Sequence, residues 1–149
     1  MVKVALICTS ADKVGDHPTG LWLEEAAAPY FLFKDEGYDV DIFSPKGGPI
    51  PIDAGSLADG YYTPAAKKFK EEDTVAWNQL QESKQIDVGV IVKGYDAIFL
   101  SGGHGTCTDF ITKEGPSSDN VVTKLIESFY ASGKPLAAVC HGTFVIYII

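Results

Sequence analysis

The sequence is short of cysteine, of positive charge and of long apolar runs, and each shortage removes a class of protein. Its three cysteines, Cys8, Cys107 and Cys140, are an odd number without framework spacing; they fit the reduced thiols of a cytosolic protein better than a disulfide scaffold. No C-x-x-C pair or clustered Cys/His spacing suggests a structural zinc site. Twelve basic residues against 20 acidic ones give a net charge of −8, whereas phosphate binding needs a basic surface, so nucleic acid is not an expected partner. No stretch reaches the roughly 18 apolar residues of a membrane span. The apolar run 2–8 is too short and poorly flanked for a secretory signal. A cytoplasmic location without membrane partners is therefore expected. Internal repeats, low-complexity tracts and interdomain linkers are also missing. The 149 residues, 46% hydrophobic and 21% charged, suit a single domain spanning 1–149 with enough apolar material for a core.

What is present centres on residues 135–142, Pro-Leu-Ala-Ala-Val-Cys-His-Gly. Small and apolar residues after the Gly133-Lys134-Pro135 turn read as a short buried strand that runs into Cys140. In α/β folds a reactive nucleophile often sits on such a strand-to-helix elbow, facing the free N–H groups of the next helix. A helix N-terminus and a nearby cation lower a cysteine pKa and favour the nucleophilic thiolate. The plain alternative is packing, since cysteine is among the most buried residue types.

Along the chain, residues 2–8 have the pattern of a central parallel strand buried on both faces. A polar loop, 11–19, leads into 20–33, which reads as a helix capped by Thr19. Leu21, Glu25, Ala28 and Leu32 share one stripe, placing a carboxylate in an otherwise apolar face. Pro29 cannot donate to the Glu25 carbonyl. Alternatively, Glu24 and Glu25 sit at the helix edge and complement the first-turn dipole. Gly37 closes the helix, and 38–45 alternate as a strand suited to an edge. The long loop 46–59 and the helical excursion 65–83, with Trp77 and Leu80, are expected to carry function or cover an opening, and 88–93 to extend that cover.

Residues 95–100 read as a buried strand followed by Ser101-Gly102-Gly103-His104-Gly105-Thr106. Its glycines allow N–H groups to be aimed at an anion. Without a Walker lysine or a GxGxxG pattern, an oxyanion hole and a tight turn are the two readings. Residues 120–132 form an amphipathic helix with Val121, Leu125, Ile126 and Phe129 inward. Cys8 reads as core and Cys107 as packing near the glycine loop. His17 and His104 are loop histidines, either solvated or available to a metal or substrate. Trp22, Tyr30, Phe31 and Phe33 suit core or a dimer surface. The rhythm is that of an open, mostly parallel α/β sheet with helices on both faces. Right-handed crossovers would bring the first helix start, the glycine loop and Cys140 to one edge of that sheet.

Four segments in order, Thr19-Gly20-Leu21-Trp22-Leu23-Glu24-Glu25, Ser44-Pro45-Lys46-Gly47-Gly48 with Pro51-Ile52-Asp53, Ser101-Gly102-Gly103-His104-Gly105, and Ala137-Ala138-Val139-Cys140-His141-Gly142, resemble the DJ-1/PfpI superfamily. Within it they are similar to the Hsp31-like glyoxalase III branch. The resemblance implies a flavodoxin-like, class I glutamine amidotransferase-like sandwich and a homodimer without metal or other cofactor. It implies Cys140 as nucleophile, His141 as its triad neighbour and Glu25 as the carboxylate on the thiol. Gly102, Gly103 and His104 would form the oxyanion and substrate side. The implied reaction adds the Cys140 thiolate to methylglyoxal or a related 2-oxoaldehyde, shuttles a proton between the two carbons by Glu25 or His141, and releases a 2-hydroxy acid. Relatives continue beyond the elbow to an acidic third triad member, while this chain runs seven residues past Gly142, so C-terminal elements of the family fold are expected to be missing. The uncharged, β-branched ending 143–149 suits an exposed helix poorly and has the composition of an aggregation-prone segment. Other functions compatible with the residues are a cysteine peptidase or amidotransferase-like hydrolase, and a stress-response holdase or thiol redox sensor.

Overall fold

A computed structural model describes residues 1–112, 117 and 119–148; Ile149, part of the apolar ending, lies outside them. Five strands, β1 (Lys3–Ile7), β4 (Asp39–Ser44), β5 (Lys84–Gln85), β6 (Ala97–Leu100) and β7 (Leu136–Ala138), form a parallel sheet in the order β5-β4-β1-β6-β7. β1 is central, paired with β4 through Lys3↔Asp39 to Ile7↔Phe43 and with β6 through Val4↔Ala97 to Ile7↔Leu100. Successive side chains of a strand point to opposite faces, so β1 feeds two cores. Ala5 and Ile7 pack with Ile98, Leu100 and the inner faces of α4 (Val88–Gly94) and α6 (Val121–Ala131). Leu6 and Cys8 pack with Val40, Ile42 and the inner face of α1 (Glu24–Asp35). This is the mostly parallel α/β sheet expected from the sequence.

Helix α6 buries Val122, Leu125, Ile126 and Phe129, with Val121 half-buried, and the Asn120 side chain caps it by accepting from the Val122 and Thr123 N–H groups. The excursion is helical: α2 (Pro64–Lys67) runs through one π-helical turn, Lys68–Glu72, to α3 (Thr74–Gln81). It delivers Phe69, Ala76 and Leu80 to the α1 core. The polar loop 11–19 contains a small antiparallel ribbon, β2 (Lys13–Val14) with β3 (His17–Pro18).

Several expectations are corrected. The first helix begins at Glu24, because Leu21 is drawn into a bridge with Ile52. Thr19 caps nothing there; its hydroxyl donates to Asp53. Leu32 is 66% exposed, so the proposed stripe stops short of it. Strand β4 is one in from the edge, since β5 pairs with its end at Phe43↔Lys84. Residues 88–93 cover no opening: they lie in α4, whose Ile91 is in the core with α6. Strand β7 is itself an edge strand, with Ala137 exposed and Leu136 and Ala138 half-buried, because only β6 pairs with it among the described residues. After Cys140 the chain winds as a 3-10 helix, Cys140–Ile148, and puts Val145 fully into the core beside α6.

Candidate active site

The strands β1, β6 and β7 end side by side, and the segments leaving them meet over that edge. Val139 donates to the Leu100 carbonyl (3.1 Å) and Ser101 to the Ile7 carbonyl (2.9 Å), which locks the three strand ends together. One residue later Cys140 has φ 52°, alone among non-glycine described residues in taking a positive φ. That left-handed conformation costs a non-glycine residue about 1 kcal/mol or more, and such strain concentrates at functional sites. It turns the thiol out of the strand direction and leaves Cys140 exposed.

Glu25 reaches the same place from the first turn of α1. Its carboxyl lies against Gly102: a Cβ there would fall 2.1 Å from Glu25 Oε2 and 2.7 Å from the Cys140 Cβ. The Oε2 atom is buried without a hydrogen-bond partner among the described residues. Burial raises the Glu25 pKa, against lowering by Cys140, the Gly102 backbone and the His104 charge. A buried, unpartnered carboxyl oxygen with a raised pKa is suited to holding a proton beside sulfur.

The Cys140 thiol is held above its ordinary value, first by partial burial and then by the Glu25 charge, against the lowering effect of the His141 and Gly103 N–H groups. This corrects the expectation of a lowered pKa. Nine residues of 3-10 helix replace the α-helix whose N-terminus was to favour the thiolate, and the neighbouring ionisable group is an acid. The backbone groups that lower the thiol are the N–H of the residue after the cysteine and one from the glycine loop, the pair of donors an oxyanion hole would need. The His141 donor leaves no signal in the sequence, because every residue but proline carries a backbone N–H.

The His141 ring places Nδ1 3.0 Å from Cys140 Sγ. Its pKa is lowered by burial and by the charge of His104, so the ring is a neutral hydrogen-bond partner at neutral pH. Phe144 meets it edge-on with centroids 5.0 Å apart, and His104 lies at 4.6 Å. Among the described residues no carboxylate pairs with His141. Of the two loop histidines, His17 is exposed on the β3 ribbon, whereas His104 belongs to the site. His104 thus lies where the resemblance put it, and Asp53, for which the sequence suggested no role, stands behind it with Oδ2 4.0 Å from its Nδ1.

Cys8 is buried core, and burial pushes its thiol up to about 12. Cys107 is half-buried in α5 (Thr106–Asp109), and its thiol is raised first by burial and then by the charge of Cys140. Among the described residues no group of three or more His, Cys, Asp or Glu side chains is placed to hold a metal, and no helix is long and apolar enough to cross a membrane.

A parallel sheet that hands its last strand to a strained cysteine places the chain among α/β proteins of the class I glutamine amidotransferase-like type. Within that class it belongs to the DJ-1/PfpI family, whose sequence pattern matches residues 19–147. The chain is 34% identical over 147 residues to the probable glutathione-independent glyoxalase hsp3103 of Schizosaccharomyces pombe, with 83% of this chain and 53% of that protein covered. To the glutathione-independent glyoxalase HSP31 of Saccharomyces cerevisiae it is 31% identical over 144 residues, covering 94% of this chain and 57% of the relative. The crystal structure of glyoxalase III from Candida albicans superposes with a TM-score of 0.77 at 27% identity, covering 97% of this chain and 59% of that one. The chain thus spans about half the length of the curated relatives it matches.

Proposed function

We propose that this chain is a glutathione-independent glyoxalase acting on methylglyoxal or a related 2-oxoaldehyde, with Cys140 as nucleophile, Glu25 as proton carrier and His141 as partner of the thiol. The observation that carries the reading is the meeting of the Glu25 carboxyl with Cys140 across Gly102. The relatives named as glyoxalases support it.

The sulfur attacks the aldehyde carbon and the thiol proton passes to its oxygen, giving a hemithioacetal. The N–H groups of Gly103 and His141 bind the oxygen while it is negative. Glu25, as carboxylate, removes the C1 hydrogen and returns it to C2 through an enediol. The product is a thioester of the 2-hydroxy acid, and water cleaves it to free the thiol. This chemistry proceeds from the chain's own residues, and the same reading has the protein in the cytoplasm as a homodimer.

The test is lactate formation from methylglyoxal by the purified 149-residue chain without glutathione, beside Cys140→Ser and Glu25→Gln. Turnover by the parent, lost in both folded variants, is expected. Retained turnover in either variant overturns the role of that residue. A parent that folds and makes no lactate favours the holdase or redox reading, and turnover of amides in preference to the dicarbonyl favours the hydrolase.

A further inference from the structure

We infer that His104 is a second acid–base group of this site, facing the second oxygen of the dicarbonyl, and that Asp53 is the residue that positions it. The inference rests on the glyoxalase reading and adds to it a proton route at the oxygens.

Four observations place these two side chains. Asp53 is fixed in its loop: its N–H donates to the Leu21 carbonyl (2.9 Å), its Oδ1 accepts from Gly55 N–H (2.8 Å), and its Oδ2 accepts from the Thr19 hydroxyl (2.5 Å). Its carboxylate is only 16% exposed, and Oδ2 lies at ion-pair distance, 4.0 Å, from His104 Nδ1. The His104 side chain is 56% exposed, so it is accessible to a ligand. Its ring lies 4.6 Å from that of His141 at an interplanar angle of 48°, which puts it next to the group bonded to the reactive sulfur. The charge of His104 also reaches Glu25. An anion beside Nδ1 favours the proton on that nitrogen and leaves Nε2 to exchange protons with a ligand.

The chemistry has a vacancy that fits. Moving hydrogen from C1 to C2 occupies Glu25, whose acidic oxygen is buried behind Cys140. The C2 oxygen must gain a proton as the enediol forms, and the C1 oxygen must lose one as the enediol collapses. His104 imidazolium gives its proton to the C2 oxygen in the first step. Neutral His104 takes the C1 hydroxyl proton in the second while Glu25 protonates C2. One proton has moved from C1 to C2, one has passed from oxygen to oxygen through the imidazole, and both side chains end as they began. Of the titratable side chains described, Asp53 and His141 lie against His104, and its charge reaches Glu25.

The experiment uses the 149-residue chain and its His104→Ala and Asp53→Asn variants. His104→Ala is expected to lower kcat for lactate formation by about 100-fold or more, the usual share of one acid–base group. It is expected to leave the alkylation rate of Cys140 by iodoacetamide unchanged, and to recover activity with added imidazole. Asp53→Asn is expected to lower kcat about 10-fold with little change in KM, and to shift the His104 ring nitrogens away from the Nδ1–H tautomer by 15N NMR. A fully active His104→Ala overturns the inference. So does a loss that imidazole does not repair while Cys140 alkylates normally, or an unchanged tautomer in Asp53→Asn. A parent chain that makes no lactate removes the glyoxalase reading and this role with it, whereas an active parent beside an active His104→Ala removes the role alone.

Discussion

Glu25 and Cys140 sit on either side of a backbone with no room for a methyl group. A Cβ at Gly102 would stand 2.1 Å from the Glu25 carboxyl oxygen and 2.7 Å from the Cys140 Cβ. The carboxyl is the end of a flexible side chain and can turn away; the Cβ is fixed by the strained backbone of Cys140. Gly102→Ala is therefore expected to expel Glu25 from the sulfur and displace the elbow. Overpacking of this kind costs about 1–3 kcal/mol. The variant should stay folded by circular dichroism, melt a few degrees lower and lose nearly all turnover. An active Gly102→Ala would mean that close approach of Glu25 to sulfur is not needed.

The alkylation of Cys140 should depend on pH in a direction set by Glu25. At alkaline pH Glu25 is ionised, and its charge, after burial, holds the thiol above its ordinary value. Glu25→Gln removes that charge, so the Cys140 pKa falls and the rate profile with iodoacetamide moves to lower pH. Cys8, buried with its thiol near 12, should remain unlabelled until the protein unfolds. A profile unchanged in Glu25→Gln would place the two groups out of electrostatic reach.

Much of this arrangement is legible in the sequence wherever a local pattern reports a local fact. Continuous apolar character marks β1 and β6, and the helical spacing of Val121, Leu125, Ile126 and Phe129 marks α6, although Val122 takes the buried place expected of Val121. The Cys140 elbow is legible because the apolar run stops at a cysteine. What escaped depends on partners distant in sequence. Leu21 and Leu23 are good helix formers, yet Leu21 pairs with Ile52, thirty-one positions on, and delays the helix to Glu24. Leu136, Ala137 and Ala138 read alike in a central or an edge strand, so burial of β7 could not be judged without its neighbours. Asp53 looks like any loop aspartate until the fold brings Thr19 and His104 to its carboxylate.

Away from the site, Asp41 should make stability depend on acid. Burial alone would raise its pKa, but the hydrogen bonds from Lys84 Nζ (2.7 Å) and Tyr95 OH (2.6 Å) outweigh it and hold the carboxyl below its ordinary value of 3.8. A carboxyl with a lowered folded pKa adds stability that is present above the unfolded value and is lost as pH falls through the folded one. Asp41→Asn is then expected to destabilise the chain at pH 7 by on the order of 1 to 2 kcal/mol, allowing for solvent around Lys84. Near pH 2, parent and variant should converge in urea melts. A gap that persists at acid pH would assign the effect to packing instead of charge.

The floor of the site depends on a second close approach. A Cβ on Gly20 would lie 2.4 Å from the Pro51 carbonyl oxygen and 2.6 Å from its carbon, and both are backbone atoms with no side-chain freedom to yield. Leu21 N–H donates to that same carbonyl at 2.8 Å, and Asp53 N–H returns to the Leu21 carbonyl at 2.9 Å. Gly20→Ala must therefore separate the 20–22 segment from 51–53. Two backbone hydrogen bonds at about 1 kcal/mol each, together with the displaced packing of fully buried Leu21, bring the expected loss to roughly 2–4 kcal/mol. The same movement detaches Asp53 from Thr19, so 15N NMR of His104 in Gly20→Ala should resemble that of Asp53→Asn. A Gly20→Ala chain with parental stability and an unchanged His104 spectrum would show that the two segments are not held together in solution.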